Sequence, residues 1–221
     1  MAEKREIHFK HIAIEGVPKS GKTKLANVLA QRIGGRLVLD RSENPYLRDF
    51  YEEKEGAAFL AQLVFLVNRY NQQSRLFQRD LFEERIICDY LFEKDKIYAY
   101  QTLNDEELFV YERIYSILSE RVPKPDLTIY LQISLPALLR RIAKEGSALE
   151  KNISEGYLSD ILEAFDYFFF NYQATPLLVV RVDDLDFDRE EDIIDFVDKI
   201  ANMKKSPLYY VPLSKLDKDS K

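Results

Sequence analysis

The stretch Gly16-Val17-Pro18-Lys19-Ser20-Gly21-Lys22-Thr23 decides how this 221-residue chain is read. It fits the phosphate-binding pattern G-x-x-x-x-G-K-[ST] at every fixed position. Before it, His8-Phe9-Lys10-His11-Ile12-Ala13-Ile14-Glu15 alternates and then turns apolar, as a strand entering a core does. After it, Leu25, Val28, Leu29 and Ile33 recur at helical spacing. Strand, glycine-bearing loop and helix form the context that separates a working phosphate loop from a chance match. The glycines let successive N–H groups converge on one anion, and the following helix N-terminus adds partial positive charge. In that geometry the eight residues hold ATP, Lys22 neutralises the β- and γ-phosphates, and the Thr23 hydroxyl ligates Mg²⁺.

The rest of the composition narrows the setting. Hydrophobic residues make up 46% and charged residues 32% of the chain, ordinary values for a globular protein. The net charge of −6 argues against a protein that coats nucleic acid. One cysteine, Cys88, leaves no internal disulfide and suits a reducing compartment. The opening Met1-Ala2-Glu3-Lys4-Arg5-Glu6 has no signal-peptide apolar core, and no apolar run approaches a membrane span. A cytoplasmic location is the expectation.

Outward from the loop, further strand-like runs alternate with helical patterns. Gly34-Gly35 closes the first helix, and Arg36-Leu37-Val38-Leu39 forms a second strand ending at Asp40. Asp40 sits beyond the carboxyl end of a strand, where ligands bind in open α/β sheets; a turn or cap carboxylate fits that position equally. Residues 57–73 read as a long helix whose apolar stripe is interrupted by Gln62, Asn68 and Arg69. A buried polar group costs a few kcal/mol without a partner, so at least one of these has a specific partner. Arg85-Ile86-Ile87-Cys88-Asp89 is a buried strand ending in an acid; assistance to Mg²⁺ is favoured over an N-cap role there. Asn104-Asp105-Glu106-Glu107 starts a helix that Pro123 and Pro125 end. A strand, Asp126-Leu127-Thr128-Ile129-Tyr130-Leu131-Gln132-Ile133, precedes a helix from Pro136 with Arg140, Arg141 and Lys144. Residues 145–152 suit a small lid over phosphates, or an exposed charged helix end. Residues 153–172 form an aromatic-dense helix whose rings serve core or a subunit interface. A fifth strand, 176–182, and a last helix, 190–203, complete the pattern, and 204–221 is read as a tail. The whole predicts a single α/β domain over 1–203, a three-layer fold of the P-loop NTPase type. Its five-stranded parallel sheet is flanked by helices and carries a small lid. The absence of an N-K-x-D run argues against a GTPase.

Several stretches together resemble the deoxyribonucleoside kinase family, in particular its bacterial deoxyadenosine/deoxyguanosine kinase branch. They are residues 16–23, Asn44-Pro45-Tyr46-Leu47-Arg48-Asp49-Phe50-Tyr51 and Gln62-Leu63-Val64-Phe65-Leu66-Val67-Asn68-Arg69-Tyr70. Further markers are the run 89–99, Pro125-Asp126-Leu127-Thr128-Ile129-Tyr130-Leu131 and Thr175-Pro176-Leu177-Leu178-Val179. The resemblance covers most of the chain. It implies transfer of the ATP γ-phosphoryl group to the 5′-hydroxyl of a deoxyribonucleoside, with purine preference, and a homodimer. By the same resemblance Asp40 is the general base and Gln62 reads the nucleobase. Tyr51 and Glu155 meet the sugar, Arg69 pairs with Asp95 beside the base, Asp89 and Thr23 serve Mg²⁺, and Arg141 is a lid-side catalytic cation.

The chain also departs from the family pattern. Lys19 stands where glycine is usual, so a bulkier cation either perturbs the loop or adds a phosphate contact. Glu43 rivals Asp40 as the base. Tyr90 replaces an arginine, so that phosphate-side cation must come from elsewhere. Glu145 and Ser147 occupy lid positions that are often arginine, and Glu155 is displaced by one residue. These departures motivate two other readings: a nucleoside monophosphate kinase, or a catalytically weakened nucleotide-binding subunit of a kinase heterodimer.

Overall fold

The protein is described from a computed structural model that covers residues 7–40, 43–78, 85–203 and 207–210. Its centre is a sheet of short apolar strands: β1 (His11–Glu15), β2 (Arg36–Val38), β3 (Ile86–Cys88), β4 (Leu127–Gln132), β5 (Leu177–Arg181) and β6 (Leu208–Tyr210). All neighbours pair in parallel, in the order β2-β3-β1-β4-β5-β6. Ala13 lies opposite both Cys88 of β3 and Thr128 of β4, so β1 occupies the middle. The near-continuous burial of β3, β4 and β5 is what a parallel sheet covered on both faces demands.

The sheet has six strands rather than the five expected. The extra strand, β6, pairs with β5 at the edge and lies in the segment read as a tail. Residues 204–206 and 211–221 of that segment, and the N-terminal residues 1–6, lie outside the described residues.

Helices fill both faces. They are α1 (Lys22–Ile33), α2 (Leu47–Tyr51), α3 (Ala57–Gln78), α4 (Lys94–Thr102), α5 (Asp105–Ser119), α6 (Leu135–Glu145), α7 (Ala148–Lys151), α8 (Glu155–Phe170) and α9 (Glu190–Ala201). The start of α5 follows from its sequence: Asn104 accepts from the Glu107 amide at 3.0 Å, and Glu107 accepts from the Asn104 amide at 3.2 Å. The α8 aromatics divide between core and surface. Phe165 and Phe169 are buried, and the Phe169 ring stacks on Tyr130 of β4 at 4.1 Å between centroids. Tyr167 and Phe170 project outward, 76% and 81% exposed. A second cluster, Leu66, Phe92, Ala99, Tyr111 and Tyr115, joins α3, α4 and α5 beyond the sheet. Parallel strands bring their carboxyl ends to one edge, so the turns after β1, β2 and β3 converge.

The core rests heavily on the α8 rings. Phe165→Ala is expected to lower stability by about 3–5 kcal/mol in urea unfolding. Phe170→Ala should change the stability of the monomeric chain by no more than about 0.5 kcal/mol. Equal losses would contradict this division of the helix.

Candidate active site

The turn after β1 carries the phosphate loop. Gly16 is packed so closely that a Cβ would lie 2.7 Å from the Leu131 carbonyl oxygen. Gly21, at φ 103°, is left-handed and leads directly into α1. Lys19 also adopts a left-handed conformation, φ 63°, which costs a side-chain-bearing residue about 1 kcal/mol. This explains why glycine suits the position. The Lys19 ammonium turns to α7, 3.2 Å from Glu150. Glu150 also accepts from the Ser147 amide at 2.7 Å, so one carboxylate ties the turn before α7 to the loop. Arg141 of α6 donates to the carbonyls of Ser20 at 2.8 Å and Lys19 at 3.2 Å, and to that of Val182. It therefore clamps the loop backbone.

Lys22 curls back over the loop, donating to the carbonyls of Gly16 at 2.5 Å and Val17 at 3.0 Å. Burial pushes its ammonium down to a pKa of about 8, against the opposing pull of Glu15. Beside it lies a cavity of about 730 Å³, bounded by Lys19, Gly21, Lys22, Thr23 and Lys24, by Arg140, Arg141 and Lys144, and by the acidic turn after β5. The cations on this wall suit a polyphosphate.

A chain of alternating charges crosses the adjoining strand ends. Arg69 of α3 grips both Asp40 oxygens, Nε to Oδ1 at 3.0 Å and Nη2 to Oδ2 at 2.9 Å. Its Nη1 donates to Asp95, which is fully buried. Lys94 donates to Asp40 Oδ2 at 2.6 Å and stands 4.0 Å from Glu15. Glu15 in turn stands 3.9 Å from Lys22 and accepts from the amides of Gly16 and Leu91, each at 2.8 Å. Burial pushes the Asp40 carboxyl up, but Lys94 and Arg69 outweigh it and hold the group well below the usual carboxylate range.

Thr23 and Asp89 meet as the sequence suggests. The Thr23 hydroxyl donates to Asp89 Oδ2 at 2.5 Å, while Oδ1 accepts from the Asp40 amide at 2.6 Å. An oxygen-only pair beside a phosphate loop fits a hard divalent cation whose remaining ligands are water and phosphate. Among the described residues there is no group of three or more His, Cys, Asp or Glu that would hold a metal by itself.

On the far side, Gln62 is buried and its Nε2 donates to the Thr102 hydroxyl at 3.3 Å. Thr102 spends its own proton on the Tyr98 carbonyl at 2.8 Å, so it offers Gln62 only a lone pair. That fixes the amide, and no hydrogen bond among the described residues engages Gln62 Oε1. Asp95 Oδ2 is buried without a hydrogen-bond partner among the described residues. Tyr51 ends α2 with 38% exposure, and burial, with Glu150 nearby, raises its phenol pKa.

The structure thus unites Lys22, Thr23, Asp40, Arg69, Asp89 and Asp95 in one connected set. Glu155 is exposed on the first turn of α8, and no hydrogen bond or ion pair among the described residues joins it to that set. Glu43 is exposed as well, and among the described residues its carbonyl is engaged by Asn68 at 3.4 Å. Sequence reasoning missed Glu15 and Lys94. The signals were there: an acid ending an otherwise apolar strand, and a lysine in a helix's first turn, where the macrodipole disfavours it.

A family model described as deoxynucleoside kinase matches residues 12–204. The chain is 37% identical to a deoxyguanosine kinase of Bacillus subtilis over 79% of its own length and 86% of the relative's. It is 28% identical to a deoxyadenosine/deoxycytidine kinase of the same organism, over 87% of this chain and 92% of that one. A solved deoxyadenosine kinase from M. mycoides with bound dATP superposes with a TM-score of 0.71 at 25% identity, covering 85% of this chain and 99% of that one.

A phosphate-binding lysine with a lowered pKa must gain a proton to meet its anion. ATP affinity is expected to be flat below pH 8 and to fall up to tenfold per pH unit above it, in calorimetry. Lys22→Arg, always charged, should flatten the fall; a profile that stays level to pH 10 in the wild type would refute the assignment.

Proposed function

The chain belongs to the deoxynucleoside kinase family, and from that premise we propose that it phosphorylates a purine deoxyribonucleoside at the 5′-hydroxyl, with Asp40 facing that hydroxyl. ATP is the phosphate donor of this family's reaction. The observation that carries the residue assignment is the position of Asp40. One neighbour, Arg69, leads to buried Asp95. The other, Lys94, leads through Glu15 to the phosphate loop. A carboxylate between a nucleobase site and a triphosphate site is where an acceptor oxygen belongs. Exposed Glu43 has no such placement, which favours Asp40 as the base.

Each residue then has a chemical task. The loop amides, Lys22 and the clamped Arg141 side of the cavity hold the polyphosphate. Thr23 and Asp89 would hold Mg²⁺, which when bound neutralises charge on the phosphate oxygens. Asp40 orients the hydroxyl and takes its proton late, as suits a transfer that depends on positioning more than on a strong base. Gln62 Oε1 and Asp95 Oδ2 are acceptors for nucleobase N–H groups, with Arg69 as donor. The purine preference rests on relatives named for deoxyguanosine and deoxyadenosine. Tyr51 and Glu155 on the sugar side rest on the family resemblance.

No helix of the described residues is long and apolar enough to cross a membrane, and a cytoplasmic location is part of this proposal. So is a homodimer. It is supported by exposed Phe109 and Ile117 on α5 and by Tyr167 and Phe170 on α8, large apolar groups that water-facing surfaces rarely collect.

The decisive assay offers ATP and Mg²⁺ with a panel of deoxynucleosides and their monophosphates. Purine deoxynucleosides should turn over, and Asp40→Asn and Lys22→Ala should each lower kcat about 10²–10⁴-fold. Because cations hold Asp40 ionised, kcat/KM should show no acid limb from it between about pH 5 and 8. An inert panel would overturn the proposal, and turnover of monophosphates alone would redirect it.

A further inference from the structure

Lys94 is a buried lysine that neither the phosphate-loop pattern nor the nucleoside pocket accounts for. Its side chain is 8% exposed. It opens α4, where a cation opposes the helix macrodipole. Fixing such a flexible side chain costs rotamer entropy, and desolvating its charge costs more. Packing alone would be served as well by an apolar residue of similar length.

Its placement supplies the reason. The ammonium lies 2.6 Å from Asp40 and 4.0 Å from Glu15, and Glu15 lies 3.9 Å from Lys22. Lys94 therefore stands between the carboxylate that meets the acceptor hydroxyl and the lysine that meets the donor phosphates. Lys22 feels it: the Lys94 charge helps to lower the Lys22 pKa, after burial and against the pull of Glu15. Arg69 already spans Asp40 with two hydrogen bonds, so Asp40 keeps a cationic partner if Lys94 moves. Tyr90, four residues earlier, points its hydroxyl away to Gln72 at 2.7 Å and contributes no charge here.

We propose that Lys94 is a catalytic residue of the phosphoryl transfer, whose ammonium leaves Asp40 Oδ2 for an oxygen of the transferring phosphoryl group. The inference rests on the kinase reading above. In the step, the nucleoside 5′-oxygen forms a bond to the γ-phosphorus while the bond from that phosphorus to the ADP oxygen breaks. The hydroxyl proton goes to the Asp40 oxygen that Lys94 has released. Lys94 keeps its proton throughout and neutralises charge on the phosphoryl oxygens between donor and acceptor. One movement thus frees the base and supplies the cation.

The test compares full-length wild type, Lys94→Met and Lys94→Arg on deoxyguanosine and deoxyadenosine with saturating Mg²⁺-ATP. Lys94→Met should lower kcat about 10²–10³-fold while the deoxynucleoside Kd, from calorimetry with nucleoside alone, stays within about threefold. Lys94→Arg should keep kcat within about tenfold of wild type. If Lys94→Met does not fold by circular dichroism, Lys94→Gln replaces it with the same expected loss, since it can still bond Asp40 but carries no charge. A kcat within threefold of wild type in the uncharged variant overturns the proposal. So does a loss that Lys94→Arg fails to rescue, or one matched by an equal loss of nucleoside binding. Wild type inert on both nucleosides would instead sink the kinase reading itself.

Discussion

Six side chains of alternating charge, Asp95, Arg69, Asp40, Lys94, Glu15 and Lys22, form the line on which the centre of this protein depends. They come from α4, α3, the end of β2, β1 and α1. Each charge is costly to bury alone, and removing one partner of a buried pair typically costs about 3–5 kcal/mol because the other is stranded. Each inner member has two neighbours, so Asp40 stays paired with Arg69 when Lys94 moves. The line locks helix to strand across the sheet and, in the proposed reaction, fixes where the acceptor and donor ends stand. An apolar replacement of the whole set could be as stable, but it would give up the field that a transferring phosphoryl group needs.

The phosphate loop shows the same economy in backbone terms. Close packing at Gly16 and the left-handed turn at Gly21 are steric requirements. Lys19 violates the local preference, and the compensation is visible in its ion pair with Glu150. Arg141 satisfies carbonyls that the curled loop leaves pointing inward. Lys19 thus joins the loop to α7 and Arg141 joins it to α6, so a ligand that draws Lys19 toward itself also loosens α7 from the loop.

Most of the fold was legible because its elements are long or carry strong local signals. The loop, the capping box at Asn104 and the apolar runs of β4 and β5 each specify themselves. Other elements were not legible, among them α2 and β6. The five residues of α2 are too few for a period to show, and the three of β6 gain their identity only from the β5 edge. The site divides in the same way. Thr23, Asp89 and the Arg69–Asp95 pair follow from motif and resemblance. The grip of Arg69 on Asp40 spans 29 positions, a pairing that only the fold creates. Lys94 was hidden by its neighbours, since Glu93-Lys94-Asp95 is a run of three charges although Lys94 and Asp95 are buried.

The edge strand β6 has a practical consequence for handling the protein. Its pairing with β5, the packing of Tyr210 against Phe196 at 5.8 Å, and the Tyr210 hydroxyl on Asp195 at 2.7 Å together cover an apolar sheet edge. Cutting the chain before residue 208 would leave Leu177–Arg181, still paired with β4, as a bare sheet edge, an open template for sheet-to-sheet aggregation. Expression boundaries, affinity tags and fusion junctions therefore belong beyond residue 210. Poor solubility of a shortened version would reflect that bare edge rather than any weakness of the phosphate site.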